Sequence, residues 1–251
     1  MIFRQLFDPQ FCTYSYLIAA RRGGEAILID PVLEQVPHYL GLLASLDLKL
    51  VQAVDTHLHA DHITGLGALR NKTGCIAAMG TNTRCELVDI RLYDGELIKV
   101  DGLVLRAIHT PGHTPDSYCL VMQDRVFTGD TLLIGATGRT DFQGGDAAAQ
   151  YDSLFGRILT MPDETLVYPG HDYKGRWVSS IGEQKAHNPR LQVDSKAAYV
   201  EMMARLDLAP PKMIKIAVPA NLQLGLPQQD LGDGAGPKML EIAALAPFAG
   251  V

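Results

Sequence analysis

Four side chains that can bind a metal follow one apolar run of the sequence. They are His57, His59, Asp61 and His62, and residues 51–54 form the apolar run before them. Imidazole and carboxylate ligands together favour zinc, iron or manganese, whereas calcium and magnesium prefer oxygen ligands. Burying such groups without a partner would be costly. The pattern therefore predicts a metal centre rather than a set of solvated loop histidines.

Three later turns each place a ligand-type side chain directly after an apolar segment. These side chains are His113, Asp130 and His171, and a glycine precedes each of them. Glycine permits a backbone conformation or a close approach that a Cβ atom would hinder. One of these turns alone would predict no more than a turn. Together with the first cluster, the three turns predict ligands that gather around one edge of a sheet.

The hydrophobic pattern predicts the elements that carry these turns. Short β-prone runs predict strands at 2–7, 12–20, 26–30, 51–54, 75–79, 97–100, 103–108, 118–122, 126–127 and 166–168. Helical spacing predicts helices at 32–46, after residue 62, at 147–159 with Asp146 as N-cap, and at 197–206, and Pro189, Pro210, Pro211 and Pro219 predict breaks. Strands followed by a helix occur twice, which favours two packed sheets with helices outside.

Composition and charge argue against several classes of protein. The 251-residue chain is 47% hydrophobic and 20% charged, with a formal net charge of −6. Because Lys and Arg do not cluster, we expect no nucleic acid partner. We expect no membrane association, because the sequence lacks an uninterrupted apolar run of about 18 residues. The N-terminus lacks the pattern of a secretory signal, so we expect a cytoplasmic protein with four reduced cysteines rather than disulfides.

The order of the candidate ligands resembles that of the metallo-β-lactamase superfamily. The resemblance covers roughly the first 175 residues and rests on His57, His59, Asp61, His62, His113, Asp130 and His171. It implies an α+β fold, an αβ/βα sandwich in which two central mixed sheets are flanked by helices, with the metal site at one edge. The fold alone does not settle the reaction, because it hosts several.

Four further segments resemble the persulfide dioxygenases, also called sulfur dioxygenases. They lie at 56–65, 138–143, 188–191 and 217–221. The Gly-Arg-Thr-Asp-Phe-Gln segment at 138–143 is the most specific, because glyoxalase II enzymes usually carry a different, aromatic-rich segment there. The resemblance implies an enzyme of sulfur metabolism and hydrogen sulfide detoxification. Such an enzyme oxidises glutathione persulfide with O₂ and water to sulfite and glutathione, and we expect a homodimer.

The resemblance also implies which residues hold the metal. In that family one Fe(II) per chain is bound by two histidines and one carboxylate, which correspond to His57, His113 and Asp130. This ligand set leaves coordination positions open for O₂ and a substrate sulfur. The remaining candidates would orient the ligands and hold water, and they are His59, Asp61, His62 and His171. A second metal would need the same four residues.

Glutathione carries two carboxylates, so its cleft needs fixed cationic donors. Arginine can bind a carboxylate with two parallel hydrogen bonds, which lysine cannot do. The resemblance assigns Arg139, Tyr173 and Arg190 to glutathione. As alternatives, Arg139 would form an interior ion pair with Asp141 or another acid, and Arg190 would be a solvated surface residue. Tyr173 would also suit a thioesterase.

These assignments divide the chain into three parts. Residues 1–175 form the core with the metal site, 176–225 form an extension that completes the domain and the glutathione cleft, and 226–251 form a tail that we expect to be mobile. The competing hypothesis is a glyoxalase II-like thioesterase with two metals, which would hydrolyse S-lactoylglutathione while Asp130 bridges the ions. A third is a catalytically silent module that binds metal or glutathione.

Overall fold

A six-stranded mixed sheet forms the first half of the fold. The computed structural model describes residues 1–227, and most of the tail predicted to be mobile lies outside them. The strands are β1 (Ile2–Asp8), β2 (Thr13–Ala19), β3 (Glu25–Ile29), β4 (Lys49–Val54), β5 (Ile76–Gly80) and β6 (Ile90–Leu92), and they are neighbours in this order. Strands β1 to β3 are antiparallel, and β3 to β6 are parallel.

A second six-stranded mixed sheet packs against the first. The remaining strands are β7 (Leu97–Val100), β8 (Leu103–His109), β9 (Tyr118–Val121), β10 (Arg125–Gly129), β11 (Leu132–Leu133), β12 (Ala136–Thr137), β13 (Leu166–Pro169) and β14 (Ser179–Ser180). The second sheet has the order β14-β13-β10-β9-β8-β7, and β11 pairs only with β12. Strands β10 and β13 are parallel, whereas the other pairs of this sheet are antiparallel.

Helices cover the outer faces of both sheets. They are α1 (Val36–Ser45), α2 (Leu66–Thr73), α3 (Ala147–Ser153), α4 (Ile181–His187), α5 (Lys196–Ala204) and α6 (Ile214–Asn221). The predicted N-cap of α3 is confirmed, because the Asp146 carboxylate accepts hydrogen bonds from the amides of Ala148 and Ala149. The predicted helix at 147–159 ends its α-helical part at Ser153 and continues as a π-helical turn, Leu154–Ile158.

Three apolar clusters fill the spaces between the layers. One lies between the first sheet and the helices α1 and α2, and includes Leu28 and Leu69. The second lies between the two sheets and includes Tyr16 and Phe127. The third joins the second sheet to α3, α4 and α5, and includes Tyr199. The order helix, sheet, sheet, helix confirms the predicted αβ/βα sandwich.

The segment after residue 175 packs on both outer faces of this sandwich. Helices α4 and α5 join the third cluster, whereas Val218 of α6 packs against the first. The predicted break at Pro219 is wrong, because this proline lies inside α6. Proline removes the hydrogen bond to the carbonyl four residues earlier. That carbonyl belongs to Lys215, and both residues are exposed, so the lost bond falls on the solvent side of the helix.

Candidate metal centre

The predicted ligands meet at one edge of the two sheets. The cluster at 57–62 follows β4, His113 lies between β8 and β9, Asp130 follows β10, and His171 follows β13 by two residues. The two sheets are joined at this edge, because the Tyr14 amide donates to the Gly170 carbonyl at 2.8 Å. Carboxyl ends of parallel strands face the same edge of a sheet, so the turns after β4, β10 and β13 converge. The convergence predicted from the sequence is confirmed.

Two histidines and one aspartate form the first group of donors. One ligand atom from each of His57, His113 and Asp130 lies within 4.8 Å of the others. Nε2 of His113 is 3.6 Å from Oδ2 of Asp130. Oδ1 of Asp130 is buried and has no hydrogen-bond partner among residues 1–227. A buried carboxylate oxygen without a donor is costly, and a cation at this position would remove the cost, so the residues fit a bound metal.

Neighbouring groups set which nitrogen of each of these two histidines can bind a metal. The Thr56 hydroxyl donates to Oδ2 of Asp30 at 3.0 Å, so at 3.0 Å from Nδ1 of His57 it accepts. Nδ1 of His113 lies 2.8 Å from the Arg139 carbonyl, which can only accept. Both imidazoles therefore carry their proton on Nδ1 and present the Nε2 lone pair. Burial and the charges of neighbouring imidazoles hold the pKa of His57 well below its ordinary value.

The four residues predicted to orient the ligands form a second group beside the first. Ligand atoms of His59, Asp61 and His62 lie within 4.8 Å of one another. Oδ2 of Asp61 lies 2.7 Å from Nδ1 of His62 and 3.3 Å from Nε2 of His171. Burial opposes ionisation of Asp61, yet these two imidazoles hold the pKa of its carboxyl well below its usual range. All seven candidate donors therefore lie in one site.

Asp30 also belongs to the site. Its backbone has a φ of 48°, in the left-handed region, and its side chain is buried. The carboxylate accepts from the Thr56 amide at 2.6 Å and the Thr56 hydroxyl, and Oδ1 lies 3.2 Å from Nε2 of His59. Burial disfavours the His59 cation, but the hydrogen bond and the negative charge of Asp30 outweigh this effect and raise the pKa of His59 to about 9.

Thr56 contacts the site, but the sequence did not single it out as a site residue. The signal was its position directly before His57, at the end of a strand parallel to the one that ends at Asp30. Parallel neighbours bring their carboxyl ends together, so Asp30 and Thr56 lie side by side. The side chain of Asp30 thus contacts Thr56, directly before the metal-binding motif, and His59 within it.

Two glycines leave the space that the donors occupy. A Cβ atom on Gly170 would lie 2.7 Å from Oδ1 of Asp130. At Gly138 it would lie 2.1 Å from the Asp130 carbonyl and 2.9 Å from the ring of His113. Contacts this short would force the neighbouring groups to move. The close approach predicted for the glycine before His171 is therefore present.

Arg139 lies behind His113 and is paired with an acid. Nε and Nη2 each lie 2.7 Å from an oxygen of Asp141, and the other donors reach the carbonyls of Leu208 and Ala209. The ion pair with Asp141 that was the alternative for Arg139 is present, but it is not interior, because the Asp141 side chain is 50% exposed. Binding of glutathione by Arg139 stays a prediction.

Arg190 and Tyr173 lie in different surroundings. Arg190 is half-buried, and Nη1 donates to the Thr137 carbonyl at 2.6 Å. Within residues 1–227, no carboxylate lies at ion-pair distance from Arg190, and burial lowers the pKa of its guanidinium. The alternative of full solvation is wrong. Tyr173 is 70% exposed and stacks on the His171 ring at 5.8 Å between centroids.

Known proteins share the fold of this chain and much of its sequence. The family model of the metallo-beta-lactamase superfamily matches residues 10–171. Human mitochondrial persulfide dioxygenase ETHE1 is 42% identical over 229 residues, which cover 90% of this chain and 89% of the relative. The crystal structure of ETHE1 from Myxococcus xanthus is 50% identical, has a TM-score of 0.88, and covers 90% of this chain and 100% of that chain. The chain belongs to the persulfide dioxygenase family of the metallo-beta-lactamase superfamily.

Membership of the persulfide dioxygenase family agrees with the extent of the similarity. A hydroxyacylglutathione hydrolase of Polaromonas is 38% identical, but only over 169 residues, 64% of this chain and 62% of the relative. The similarity to the persulfide dioxygenases instead extends over about nine tenths of the chain. The family and the donor set together indicate a metal cofactor.

In the part of the chain that the structure describes, every helix is too short or too polar to cross a bilayer. All four cysteines are unpaired, and Cys75, Cys85 and Cys119 are buried. Reduced thiols in a reducing compartment stay a prediction.

Proposed function

We propose that this persulfide dioxygenase oxidises glutathione persulfide at one Fe(II) per chain. In the balanced reaction, glutathione persulfide, O₂ and water give glutathione, sulfite and two protons. The similarity to persulfide dioxygenases over about nine tenths of the chain carries this proposal. The group formed by His57, His113 and Asp130 supports it, because two imidazoles and one carboxylate are the ligands of many non-haem Fe(II) oxygenases.

The protein's own residues prepare the ligand set. Fe(II), when bound, supplies redox chemistry and open coordination positions for O₂ and the outer sulfur. Thr56 accepts from Nδ1 of His57, and the Arg139 carbonyl accepts from Nδ1 of His113, so both rings are fixed in orientation with Nε2 toward the site. Asp130 supplies a carboxylate whose negative charge offsets part of the metal's charge. Gly170 keeps the space beside this carboxylate open.

The second group of donors supports the step that consumes water. Nδ1 of His59 and Nε2 of His62 are buried and, in residues 1–227, have no hydrogen-bond partner. Groups of this kind can hold a water molecule beside the first group. Asp61 fixes the rings of His62 and His171. In this proposal, the four residues position water for the release of sulfite.

Three residues are proposed to bind the glutathione moiety. Arg190 has a half-buried guanidinium with donors that are not used by a carboxylate, which suits a substrate carboxylate. Tyr173 lies at the exposed side of His171 and could contact the tripeptide backbone. Arg139 would contribute positive charge near His113, although Nε and Nη2 of its guanidinium already donate to the Asp141 carboxylate. Arg190 therefore has the strongest support of the three.

The proposed division of the chain follows from the same contacts. Arg190 belongs to the extension 176–225, and the carbonyls of Leu208 and Ala209 in that extension hold Arg139. We propose that this segment completes the glutathione cleft on a core formed by 1–175. The homodimer and the cytoplasmic location stay predictions.

Metal analysis and oxygen uptake on one anaerobically purified sample test this function. We expect about one iron per chain, persulfide-dependent O₂ consumption and sulfite release. The His113→Ala variant should lose both iron and O₂ uptake. Two metals per chain, no O₂ uptake and hydrolysis of S-lactoylglutathione would instead establish the thioesterase, which the presence of all seven donors also permits.

A further inference from the structure

A buried asparagine at the end of α6 holds the backbone of the metal-binding loop. Nδ2 of Asn221 donates to the carbonyls of His59 and His62, both at 2.9 Å, and Oδ1 accepts from the Thr64 amide at 2.9 Å. The side chain is 1% exposed. Asn221 lies 162 positions after His59 in the sequence. The contact therefore joins the end of the extension to the loop between β4 and α2.

The three hydrogen bonds match the chemistry of an amide side chain. Both hydrogens of Nδ2 are used on carbonyls, and Oδ1 is used on an N–H group. The three backbone groups lie in the loop between β4 and α2, outside any strand or helix. Leaving them buried without partners would be unfavourable for each group. Asn221 thus supplies hydrogen-bond partners to backbone groups that, in a strand, would pair with a neighbouring strand.

The residues around Asn221 fix its position on the loop. Directly after it, the Leu224 carbonyl accepts from the Gly67 amide at 3.0 Å, and the Leu224 side chain is fully buried in the first apolar cluster. Gly225 has a φ of 69°, and a Cβ atom there would lie 2.1 Å from the Thr64 carbonyl. The chain after α6 therefore lies directly on the loop and on the start of α2. A side chain held this firmly can transmit its position to the loop.

We propose that Asn221 is a positioning residue that aims the imidazoles of His59 and His62 into the site through their backbone carbonyls. Nε2 of His59 lies beside the Asp30 carboxylate, and Nδ1 of His62 lies beside the Asp61 carboxylate. The other nitrogen of each imidazole is directed away from that carboxylate. Keeping both arrangements requires a fixed separation of the two backbones. Asn221 bridges the two carbonyls with one NH₂ group and so sets this separation. The proposal rests on the proposed function only for its effect on turnover.

The substitution Asn221→Asp tests the bridge with little change in size. The carboxylate can still accept from the Thr64 amide, but it presents an oxygen in place of the NH₂ group to two carbonyls. We expect the ring ¹⁵N resonances of His59 and His62 in the metal-free protein to shift, and Fe(II) affinity in anaerobic competition with a chelator to fall at least about 10-fold. In the loaded enzyme, kcat should fall while KM is retained, because the proposed glutathione residues do not contact Asn221.

The substitution Asn188→Asp is a matched control. Asn188 is also buried, its Nδ2 donates to the carbonyls of Leu133 and Ala136, and its Oδ1 accepts from the Arg190 amide. Asn188→Asp should lower the Tm by about as much as Asn221→Asp does. The ring resonances of His59 and His62 and the Fe(II) affinity should stay as in the wild type. Asn221→Ser, which is smaller and keeps a polar group, serves the same comparison if the aspartate variant does not fold.

The histidine resonances separate this proposal from the proposed function. A lower Tm in the Asn221 variants, with wild-type ring resonances and Fe(II) affinity, would overturn the positioning role and leave Asn221 a purely structural one. Shifted resonances with weakened Fe(II) binding would support it, whatever the substrate. Absence of persulfide-dependent O₂ uptake in the wild type would contradict the proposed function and leave the positioning role supported or refuted by the resonances alone.

Discussion

The Thr56 hydroxyl lies 3.0 Å from Nδ1 of His57 and, because its only hydrogen is donated to Asp30, it accepts a hydrogen bond from the imidazole Nδ1–H. A chain of hydrogen bonds therefore runs from a buried carboxylate through a hydroxyl to a predicted metal ligand. It fixes the tautomer and the ring plane before any metal binds. Interactions of this kind raise the basicity of the ligand and are costly to remove.

Thr56→Val should therefore weaken metal binding. Valine has the same shape but leaves Nδ1–H of His57 and one oxygen of Asp30 without their partner. We expect Fe(II) affinity to fall by about 10- to 100-fold and the free energy of unfolding to fall by about 1–3 kcal/mol. Chelator competition and chemical denaturation measure the two effects. Thr56→Ser keeps the hydroxyl and should restore most of the affinity, and equal losses in both variants would contradict the role of the hydroxyl.

Gly170→Ala should disturb the carboxylate ligand and press on the Gly129 backbone, although the φ of Gly170 lies outside the left-handed region. The added methyl group would lie 2.7 Å from Oδ1 of Asp130, so the carboxylate must move. We expect at least about a 10-fold loss of Fe(II) affinity. Gly41→Ala is the matched control, because nothing lies within 4 Å of its added Cβ and it lies in α1. The Gly41→Ala control should gain about 0.5–1 kcal/mol in stability and keep its iron. Full iron occupancy in the Gly170→Ala variant would argue against the contact between the added methyl group and the Asp130 carboxylate.

Arg190→Lys should raise KM for glutathione persulfide. Lysine keeps a donor for the Thr137 carbonyl and the positive charge, but it lacks the planar fork that binds a carboxylate. We expect KM to rise about 10-fold, which corresponds to about 1.4 kcal/mol, with kcat little changed. Arg205→Lys is the control, because Arg205 forms an exposed ion pair with Glu201. Unchanged KM in the Arg190 variant would remove it from the glutathione cleft.

The stability of the protein should fall at alkaline pH in part because of Cys119. Burial raises the pKa of this thiol from 9.0 to about 11. The folded protein keeps the thiol protonated where the unfolded chain ionises, so this contribution is complete below pH 9 and is lost as the pH rises toward 11. The loss amounts to about 1.4 kcal/mol per pH unit in that window. Denaturation of wild type and Cys119→Ser at pH 8 to 11 measures it, and parallel slopes would refute the assignment.

Elements with a long local pattern could be predicted from the sequence, and the short ones could not. The strands from β1 to β5 and from β7 to β10 follow runs of apolar residues bounded by turn residues, so their positions were predicted to within two residues or so. Strands such as β11, Leu132–Leu133, and β14, Ser179–Ser180, are too short to show an alternating pattern. Their pairing depends on neighbours that the local sequence does not reveal.

The sequence by itself determined the donor set, because ligand type, the preceding glycine and the end of a strand are all local features. It named His57, His113, Asp130 and the four residues around them, and the structure brings all seven together. The tertiary structure alone decided which groups hold them. Asp30 reaches Thr56 because two parallel strands end side by side, and Asn221 reaches His59 across 162 positions of sequence. Hydrogen bonds between distant residues leave no spacing in the sequence, so only the folded chain specifies them.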